Sequence, residues 1–285
     1  MTSYNNLISV DELKHQLNNP SWHVVDCRFD LMKPSKGYAE YQQDHIPGAQ
    51  YANLNQDLSG LITKATGRHP LPKVETFAKR LSTWGIGNES QVVVYDHASG
   101  AIAARLWWML RWLGHTNVAV LDGGYAAWKK SAYATFGGNE AVVKTSFQAL
   151  PNSGMIISTD ELQKLLISDE APIIVDARDR IRYTGKNEPI DTIAGHIPGT
   201  VNHPFLKSIN ADGSWKRKKE LKASWDTVFK GSKDKSWISM CGSGVTACHL
   251  ILSAQLAGIP NPRLYVGSWS EWILDPNRPI VTDEI

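Results

Sequence analysis

One cysteine lies in a glycine-containing stretch whose residue types and spacing suit nucleophilic chemistry. Cys241 follows the apolar run 237–240 and begins the sequence Cys-Gly-Ser-Gly-Val-Thr, after which a helical pattern starts at Ala247. Backbone N–H groups of a short loop, together with the positive end of the following helix, stabilise a thiolate. A free thiol has a pKa near about 8.5, so a decrease of about 2 units makes it reactive at neutral pH. We therefore expect Cys241 to be a nucleophile on a strand-to-helix turn.

The residues that follow Cys241 are expected to form the rest of this site. The backbone of the loop is expected to bind the substrate through Gly242, Gly244, Val245 and Thr246. The other two cysteines, Cys27 and Cys248, are expected to be inert and buried. Three cysteines, with spacings unlike those of a zinc site, argue against a disulfide framework and against a structural metal. We expect no cofactor.

Composition limits the partners of the chain. The 285 residues are 42% hydrophobic and 20% charged with a net charge of +2, which is typical of a globular protein and does not favour nucleic acid as a partner. The basic run 216–219 is expected to be a solvated helix start. Residues 1–9 lack a cationic segment followed by an apolar one, and no run of about 18 apolar residues occurs, so we expect a cytoplasmic protein without membrane insertion.

The sequence repeats itself at four landmarks in the same order, which predicts a duplicated domain. Each copy has a Ser-x-x-Glu helix start, an apolar run ending in Asp-x-Arg, a His-Ile-Pro-Gly sequence and a glycine-aromatic segment. The matched segments are 8–13 and 157–162, 24–28 and 174–178, 45–49 and 196–200, and 122–128 and 266–272. We predict a first domain over 1–136, a linker over 137–153 and a second domain over 154–285.

Each half alternates short apolar runs with helical patterns. The runs do not alternate between apolar and polar residues, so they predict strands that are covered on both faces. The strands are expected at 92–95, 173–175 and 237–240, and the helices at 101–112 and 247–257. The fold class is therefore α/β, with a mostly parallel sheet flanked by helices in each half.

The duplication breaks at the nucleophile. Aligning 92–96 with 237–241 puts Asp96 in the place of Cys241, and a carboxylate cannot carry a sulfane sulfur. The first half is therefore expected to be a non-catalytic scaffold that covers the site, since clefts form where domains meet.

With these repeats and this cysteine loop, the whole chain resembles the tandem-domain rhodanese-type sulfurtransferases. The resemblance implies that Cys241 takes sulfur from a donor, holds it as a persulfide and passes it to a thiol, cyanide or another acceptor such as thioredoxin. The loop resembles that of the members that use 3-mercaptopyruvate more than that of the thiosulfate users, whose loops carry cations after the cysteine. Gly242 and Ser243 also suit a monoanionic α-keto acid thiol better than a dianion.

The resemblance also implies which residue binds the donor carboxylate. Arg182 matches the substrate-binding arginine, and its fork-shaped guanidinium pairs two oxygens at once. A second arginine of the 3-mercaptopyruvate users has no match, because residues 188–191 are Glu-Pro-Ile-Asp here. These carboxylates are expected to weaken anion binding. Lys186 or Arg105 is a candidate to compensate.

A proton relay is implied in the same way. Ser243 matches its first member and His69 its second, and a histidine with an ordinary pKa near about 6.5 can protonate a leaving enolate. The third member is an aspartate in the family, and Asn55 is aligned there, with Asp57 as a substitute.

Residues that occur in both halves are expected to be structural. These are His45, His196, Asp26, Arg28, Asp176 and Arg178. The tryptophans are mainly expected to pack in the core, although Trp269 and Trp272 follow a predicted strand near the site and are candidates to border it.

Other functions use similar sequence features. A rhodanese-fold phosphatase needs an arginine six residues after the cysteine, where Ala247 stands, and a loop one residue longer. A dinucleotide site lacks its acidic ribose ligand about 20 residues downstream. Two alternatives stay open: a sulfurtransferase that uses thiosulfate, and a non-catalytic carrier that holds persulfide delivered by another protein.

Overall fold

The computed structural model describes residues 3–168, 171–231, 236–260 and 262–283, and the chain forms two compact units. The first unit consists of Met1–Gly60, Leu71–Asn152 and Ile209–Trp215. The second consists of Leu61–Pro70, Ser153–Ser208 and Lys216–Ile285. The segment 61–70, which carries His69, is therefore part of the second unit. The linker boundaries at 137 and 153 stay a prediction about the linear sequence.

The first unit is built on a parallel sheet of five strands among its described residues. The strand order is β1-β5-β4-β2-β3. The strands are β1 Leu7–Ile8, β2 Trp22–Asp26, β3 Gln50–Tyr51, β4 Gln91–Tyr95 and β5 Val118–Leu121. The helices are α1 Val10–Gln16, α2 Lys36–Gln43, α3 Val74–Thr83, α4 Ala103–Trp112 and α5 Gly124–Lys130. Every residue of β4 is buried, as expected for a central strand with helices on both faces.

The second unit has the same architecture. Its five described strands are also all parallel, in the order β6-β10-β9-β7-β8, so each strand has its counterpart in the first sheet. They are β6 Ile156–Ile157, β7 Ile173–Asp176, β8 Val201–Asn202, β9 Trp237–Met240 and β10 Arg263–Tyr265. The helices are α6 Thr159–Leu166, α7 Arg180–Tyr183, α8 Lys218–Phe229, α9 Thr246–Ala257 and α10 Ser268–Trp272. The predicted α/β class and the duplication are confirmed.

The first helix of each unit begins at a serine that caps it. The Ser9 side chain accepts a hydrogen bond from the N–H of Glu12, and the Glu12 carboxylate accepts one from the N–H of Ser9, so the capping box is complete. In the second copy Ser158 accepts from the N–H of Glu161. Both residues satisfy an N–H group that the first turn of a helix leaves without an internal partner.

The two repeated histidines have matching contacts. Nδ1 of His45 lies 2.7 Å from the carbonyl oxygen of Tyr41, and the two rings stack with centroids 4.1 Å apart. Nδ1 of His196 lies 2.8 Å from the carbonyl oxygen of Tyr183, and those rings stack at 3.8 Å. The same local packing in both units supports the structural role expected from the sequence.

The two Asp-x-Arg pairs are buried ion pairs. Nε of Arg28 donates to both carboxylate oxygens of Asp26, at 3.1 and 2.9 Å. Arg178 makes the same contacts with Asp176 and lies over the ring of Trp269, with its guanidinium carbon 4.7 Å from the ring centroid. Each pair tethers the end of an inner strand, β2 or β7, and both partners are buried.

The described part of the chain contains neither a membrane-spanning helix nor a group of side chains that could hold a metal ion. None of its helices combines the length and the hydropathy that crossing a membrane requires. No group of three or more His, Cys, Asp or Glu side chains is placed there to hold a metal ion.

Candidate functional site

Cys241 lies where the sequence predicts it, between a strand and a helix. Strand β9 ends at Met240, and helix α9 begins at Thr246, so residues 241–245 form the connection, here called the cysteine loop. The side chain of Cys241 is buried. The central strand of the second sheet therefore delivers the thiol directly to the start of α9, at the carboxyl edge of a parallel sheet, where ligands of α/β proteins bind.

Other groups approach both glycines of the cysteine loop closely, and Gly244 is also required by its backbone conformation. Gly244 has a φ of +76°, and a Cβ added there would lie 2.4 Å from the carbonyl oxygen of Val266. A Cβ added at Gly242 would lie 3.0 Å from Nη2 of Arg68 and 3.3 Å from Nη2 of Arg182. Two guanidinium groups therefore border the residue that follows the nucleophile.

The first turn of α10 holds the backbone of the cysteine loop. The N–H of Cys241 donates to Oγ of Ser268 at 3.1 Å, and the N–H of Trp269 donates to the carbonyl of Cys241 at 3.0 Å. Ser268 adopts a φ of +52°, which is uncommon for a residue with a side chain, and its Oγ donates to the carbonyl of Tyr265. This turn fixes the backbone on both sides of the Cys241 side chain.

The first unit repeats this backbone frame around Asp96. The N–H of Tyr125 donates to the carbonyl of Asp96 at 2.9 Å, as that of Trp269 does to Cys241. The N–H of Ala126 donates to the carbonyl of His97, also at 2.9 Å. These hydrogen bonds correspond, with Asp96 in the first unit where Cys241 stands in the second.

Asp96 fills the loop of the first unit with its own negative charge. Its buried carboxylate accepts hydrogen bonds from four backbone N–H groups. They belong to Ala98 at 3.2 Å, Gly100 at 2.9 Å, Ile102 at 2.8 Å and Ala103 at 3.2 Å. The loop between the central strand and the next helix is thus an anion cradle in this fold, as strand-to-helix turns commonly are.

His69 and Ser243 are brought together. Nδ1 of His69 lies 2.7 Å from Oγ of Ser243, although 174 positions separate them in the sequence. Both side chains are buried. Either group can be the donor, depending on the histidine tautomer. The pair lies one residue from Gly242.

Helix α10 anchors the segment that carries His69. The N–H of Arg68 donates to Oγ of Ser270 at 3.0 Å, and the N–H of Gly67 lies 3.3 Å from Oε2 of Glu271. A Cβ added at Gly67 would lie 2.5 Å from the carbonyl oxygen of Gly267, so only glycine allows this approach. Sequence reasoning missed these two helix residues. The repeated glycine-aromatic segment at 266–272 is the signal that marks the place.

Arg182 is paired with two carboxylates, Glu188 and Asp191. Its Nε donates to Glu188 at 2.9 and 3.0 Å, and its Nη2 donates to Asp191 at 3.0 Å. Glu188 and Asp191 are buried, with side chains 2% and 3% exposed. The carboxylates therefore hold the guanidinium of Arg182 in place beside the cysteine loop.

Arg68 is a second cation at this loop that sequence reasoning did not assign. It forms an ion pair with Asp191, whose other oxygen binds Arg182. Burial lowers the pKa of Arg68 from its ordinary value and the charge of Arg182 adds to this effect, while Cys241 and Glu188 act in the opposite direction. Its position directly before His69 is the signal that could have found it.

Three of the other candidates belong to the first unit. Asp57 belongs to the first unit, where it accepts from the N–H of Asn53 at 2.8 Å and pairs with Nε of Arg80 at 2.8 Å. Asn55 and Arg105 also belong to the first unit. Arg105 lies in helix α4, and its side chain is buried. Lys186 is exposed in the second unit. Whether any of them completes a relay or assists the donor stays a prediction.

The remaining cysteines are buried, as expected from the sequence. Burial raises the pKa of the Cys27 thiol well above its ordinary value, and the charge of Asp26 adds to the shift. Sγ of Cys248 lies 3.3 Å from the carbonyl oxygen of Gly244, within helix geometry. A neutral thiol is a poor nucleophile, so Cys27 in particular is suited to packing rather than to reaction.

Comparisons with known proteins agree with this geometry. The family model of the rhodanese-like domain matches residues 9–131 and again residues 158–275. A probable 3-mercaptopyruvate sulfurtransferase of Pseudomonas aeruginosa is 43% identical over 280 residues, which cover 98% of this chain and 98% of that protein. A thiosulfate sulfurtransferase of Rattus norvegicus is 32% identical over 281 residues, which cover 94% and 92%. The solved 3-mercaptopyruvate sulfurtransferase from Leishmania major matches with a TM-score of 0.83 at 30% identity, covering 94% of this chain and 74% of that one.

Proposed function

Since the chain belongs to the rhodanese-like family of sulfurtransferases, we propose that it moves sulfur from 3-mercaptopyruvate to a thiol or cyanide through a persulfide on Cys241. The observation that carries the proposal is the surroundings of Cys241. Two guanidinium groups border Gly242, and the residue after it, Ser243, pairs with His69. The equivalent loop of the first unit already contains the carboxylate of Asp96.

The first half-reaction transfers the sulfur atom. The Cys241 thiolate attacks the sulfur of the donor, so an S–S bond forms and the bond between that sulfur and C3 breaks. The electron pair of the broken bond leaves on the enolate of pyruvate. The proton of the donor thiol ends on C3, which gives pyruvate and a Cys241 persulfide anion. No external oxidant is needed, because C3 takes the electron pair of the broken bond and is reduced to a methyl group while the sulfur is oxidised from the thiol to the sulfane level.

Four side chains are proposed to assist this step. Arg182 and Arg68 present N–H groups next to Gly242, where a donor carboxylate can accept hydrogen bonds. The His69–Ser243 pair moves the proton between the donor thiol and the enolate. Backbone groups of residues 242–246 are proposed to bind the donor and the persulfide sulfur.

The second half-reaction restores the enzyme. An acceptor thiolate or cyanide attacks the outer sulfur of the persulfide, the S–S bond breaks, and its electron pair returns to Cys241 as a thiolate. The acceptor leaves as a persulfide or as thiocyanate. A small thiol, cyanide and a protein dithiol such as thioredoxin all fit this chemistry.

The donor is tested by comparing kcat/KM for 3-mercaptopyruvate and thiosulfate on one preparation. We expect 3-mercaptopyruvate to be preferred at least 10-fold, because the two arginines are already matched by Glu188 and Asp191. Mass spectrometry of the Cys241 peptide after incubation with the donor is expected to show one added sulfur atom. A preference for thiosulfate would assign the alternative donor. Slow turnover with both free donors, but fast exchange with a protein persulfide, would assign the carrier function.

Replacing His69 by glutamine is expected to lower kcat for 3-mercaptopyruvate about 100-fold with little change in KM. The reason is that the leaving enolate then loses its proton donor. General acid catalysis typically raises the rate of such a step by about two to four orders of magnitude. Steady-state pyruvate formation measures the effect. The control is His15→Gln at an exposed helix position. A kcat within threefold of the parent would remove His69 from proton transfer.

Replacing Arg182 by glutamine is expected to raise KM for 3-mercaptopyruvate about 10- to 100-fold, since a hydrogen bond to a charged group contributes about 1.5–3 kcal/mol. The control is Arg180→Gln on the same short helix, whose side chain is 70% exposed. Thermal unfolding of both variants checks that the loss of the pairs with Glu188 and Asp191 has not unfolded the protein. An unchanged KM would remove Arg182 from donor binding.

A further inference from the structure

Arg68 and Arg182 share one carboxylate. One oxygen of Asp191 binds Nη2 of Arg182 at 3.0 Å, and its other oxygen contacts Nη1 of Arg68. The same two guanidinium groups approach Gly242 of the cysteine loop. Asp191 therefore sets the charge that both cations present to a ligand bound beside the nucleophile.

These groups belong to a larger buried set, here called the arginine cluster. Glu188 pairs with Arg182 at 2.9 Å and lies 3.6 Å from Arg178, which is itself paired with Asp176. The three cations of the cluster are Arg68, Arg178 and Arg182, and its three anions are Asp176, Glu188 and Asp191. With three charges of each sign, the arginine cluster is neutral as a whole.

The hydrogen-bonding capacity of Arg182 is divided between two directions. Nε donates a hydrogen bond to Glu188, while Nη1 and Nη2 lie 3.5 and 3.3 Å from the place that a Cβ added at Gly242 would take. Arg68 likewise contacts Asp191 through Nη1 and approaches Gly242 through Nη2. The cluster thus offers directed N–H donors to a ligand without offering a net positive charge.

Such a site discriminates between anions by their charge. A carboxylate monoanion gains the directed hydrogen bonds, and the two buried carboxylates hold the donors rigidly. A dianion gains similar hydrogen bonds, but its second charge meets no surplus cation and lies near Glu188 and Asp191. Burial strengthens this repulsion, because charges interact more strongly in a medium of low dielectric constant.

We propose that Asp191 is a specificity-determining residue that selects monoanionic α-keto acid donors over dianionic ones by neutralising the shared arginine pair. This inference rests on the proposed sulfur transfer through Cys241. It assigns a reason for the choice of donor to a residue that touches both arginines.

The test is Asp191→Asn, which keeps an oxygen acceptor of the same shape and gives the cluster a net charge of +1. We expect the ratio of kcat/KM for thiosulfate to kcat/KM for 3-mercaptopyruvate to rise at least 10-fold at constant ionic strength. The charge-preserving variant Asp191→Glu is expected to keep this ratio within threefold of that of the unaltered protein. The control for a distant carboxylate is Asp275→Asn, whose side chain is exposed. An active Asp191→Asn variant with an unchanged or lower ratio would overturn the proposal.

A measurement on the unaltered protein keeps the proposal open to refutation if Asp191→Asn does not fold. Pyruvate and sulfate are compared as competitive inhibitors of 3-mercaptopyruvate, at one ionic strength so that screening is equal. We expect pyruvate to inhibit at an at least 10-fold lower concentration than sulfate. Equal or stronger inhibition by sulfate would contradict charge selection.

Failure of the underlying function has a different signature. If the unaltered protein never acquires a sulfur atom on the Cys241 peptide, sulfur transfer through Cys241 is wrong. If the persulfide forms but neither the donor ratio nor the inhibitor order behaves as stated, only the role of Asp191 is wrong.

Discussion

Replacing Cys241 by serine is expected to lower sulfur transfer from both 3-mercaptopyruvate and thiosulfate by at least about 1000-fold, because a serine hydroxyl is not ionised at neutral pH and is a far weaker nucleophile. The persulfide intermediate also becomes impossible, since its inner sulfur is missing. Both half-reactions must fail together. Pyruvate and thiocyanate formation measure them with one preparation.

The matched control for Cys241→Ser is Cys27→Ala in the first unit. Cys27 is a buried cysteine that follows a central strand, as Cys241 does, and its raised pKa keeps it neutral. This variant is expected to retain transfer. Substantial transfer by Cys241→Ser with either donor would show that another group carries the sulfur, and the proposed mechanism would be wrong.

Replacing Asp96 by alanine is expected to lower the free energy of unfolding by about 3 kcal/mol or more, because four buried backbone N–H groups lose their acceptor. Asp96→Asn is expected to lower the free energy of unfolding by about half as much, since its amide oxygen still accepts hydrogen bonds although the charge is gone. Urea unfolding followed by tryptophan fluorescence is a suitable measurement, as helix α4 carries three tryptophans close to this loop.

The control for Asp96 is Glu75→Ala, an exposed carboxylate in the first turn of helix α3 of the same unit. Its loss is expected to lower the free energy of unfolding by less than about 1 kcal/mol, the range of a screened helix-terminus charge. A loss below 1 kcal/mol for Asp96→Ala would mean that its carboxylate is not the anion that satisfies the cradle.

The two units differ in the side chain that follows the central strand. Both have the same sheet order and the same backbone bonds around the residue that follows the central strand. In the first unit Asp96 supplies its own anion to the loop. In the second unit the same position holds Cys241, which leaves the loop for a thiolate and its ligand.

The local sequence was sufficient to predict the architecture. The four repeated landmarks, the apolar runs and the helix starts led to two α/β units, and the predicted strand 237–240 agrees with β9. Helix α4 was expected to begin at Ala101 and begins at Ala103, because the carboxylate of Asp96 holds the N–H groups before it. The resemblance to rhodanese-type sulfurtransferases is confirmed by the family match.

What the sequence alone determined is therefore the duplicated fold, the strand-to-helix position of Cys241 and the substitution of Asp96 in the first copy. These features depend on neighbouring residues and on periodic patterns, which the chain carries locally. The tertiary structure alone decided that Arg68 and Arg182 share Asp191 beside the cysteine loop and that Ser270 anchors the backbone of Arg68 across 202 positions. Such contacts depend on how distant segments pack, and no local spacing encodes which buried charges will meet.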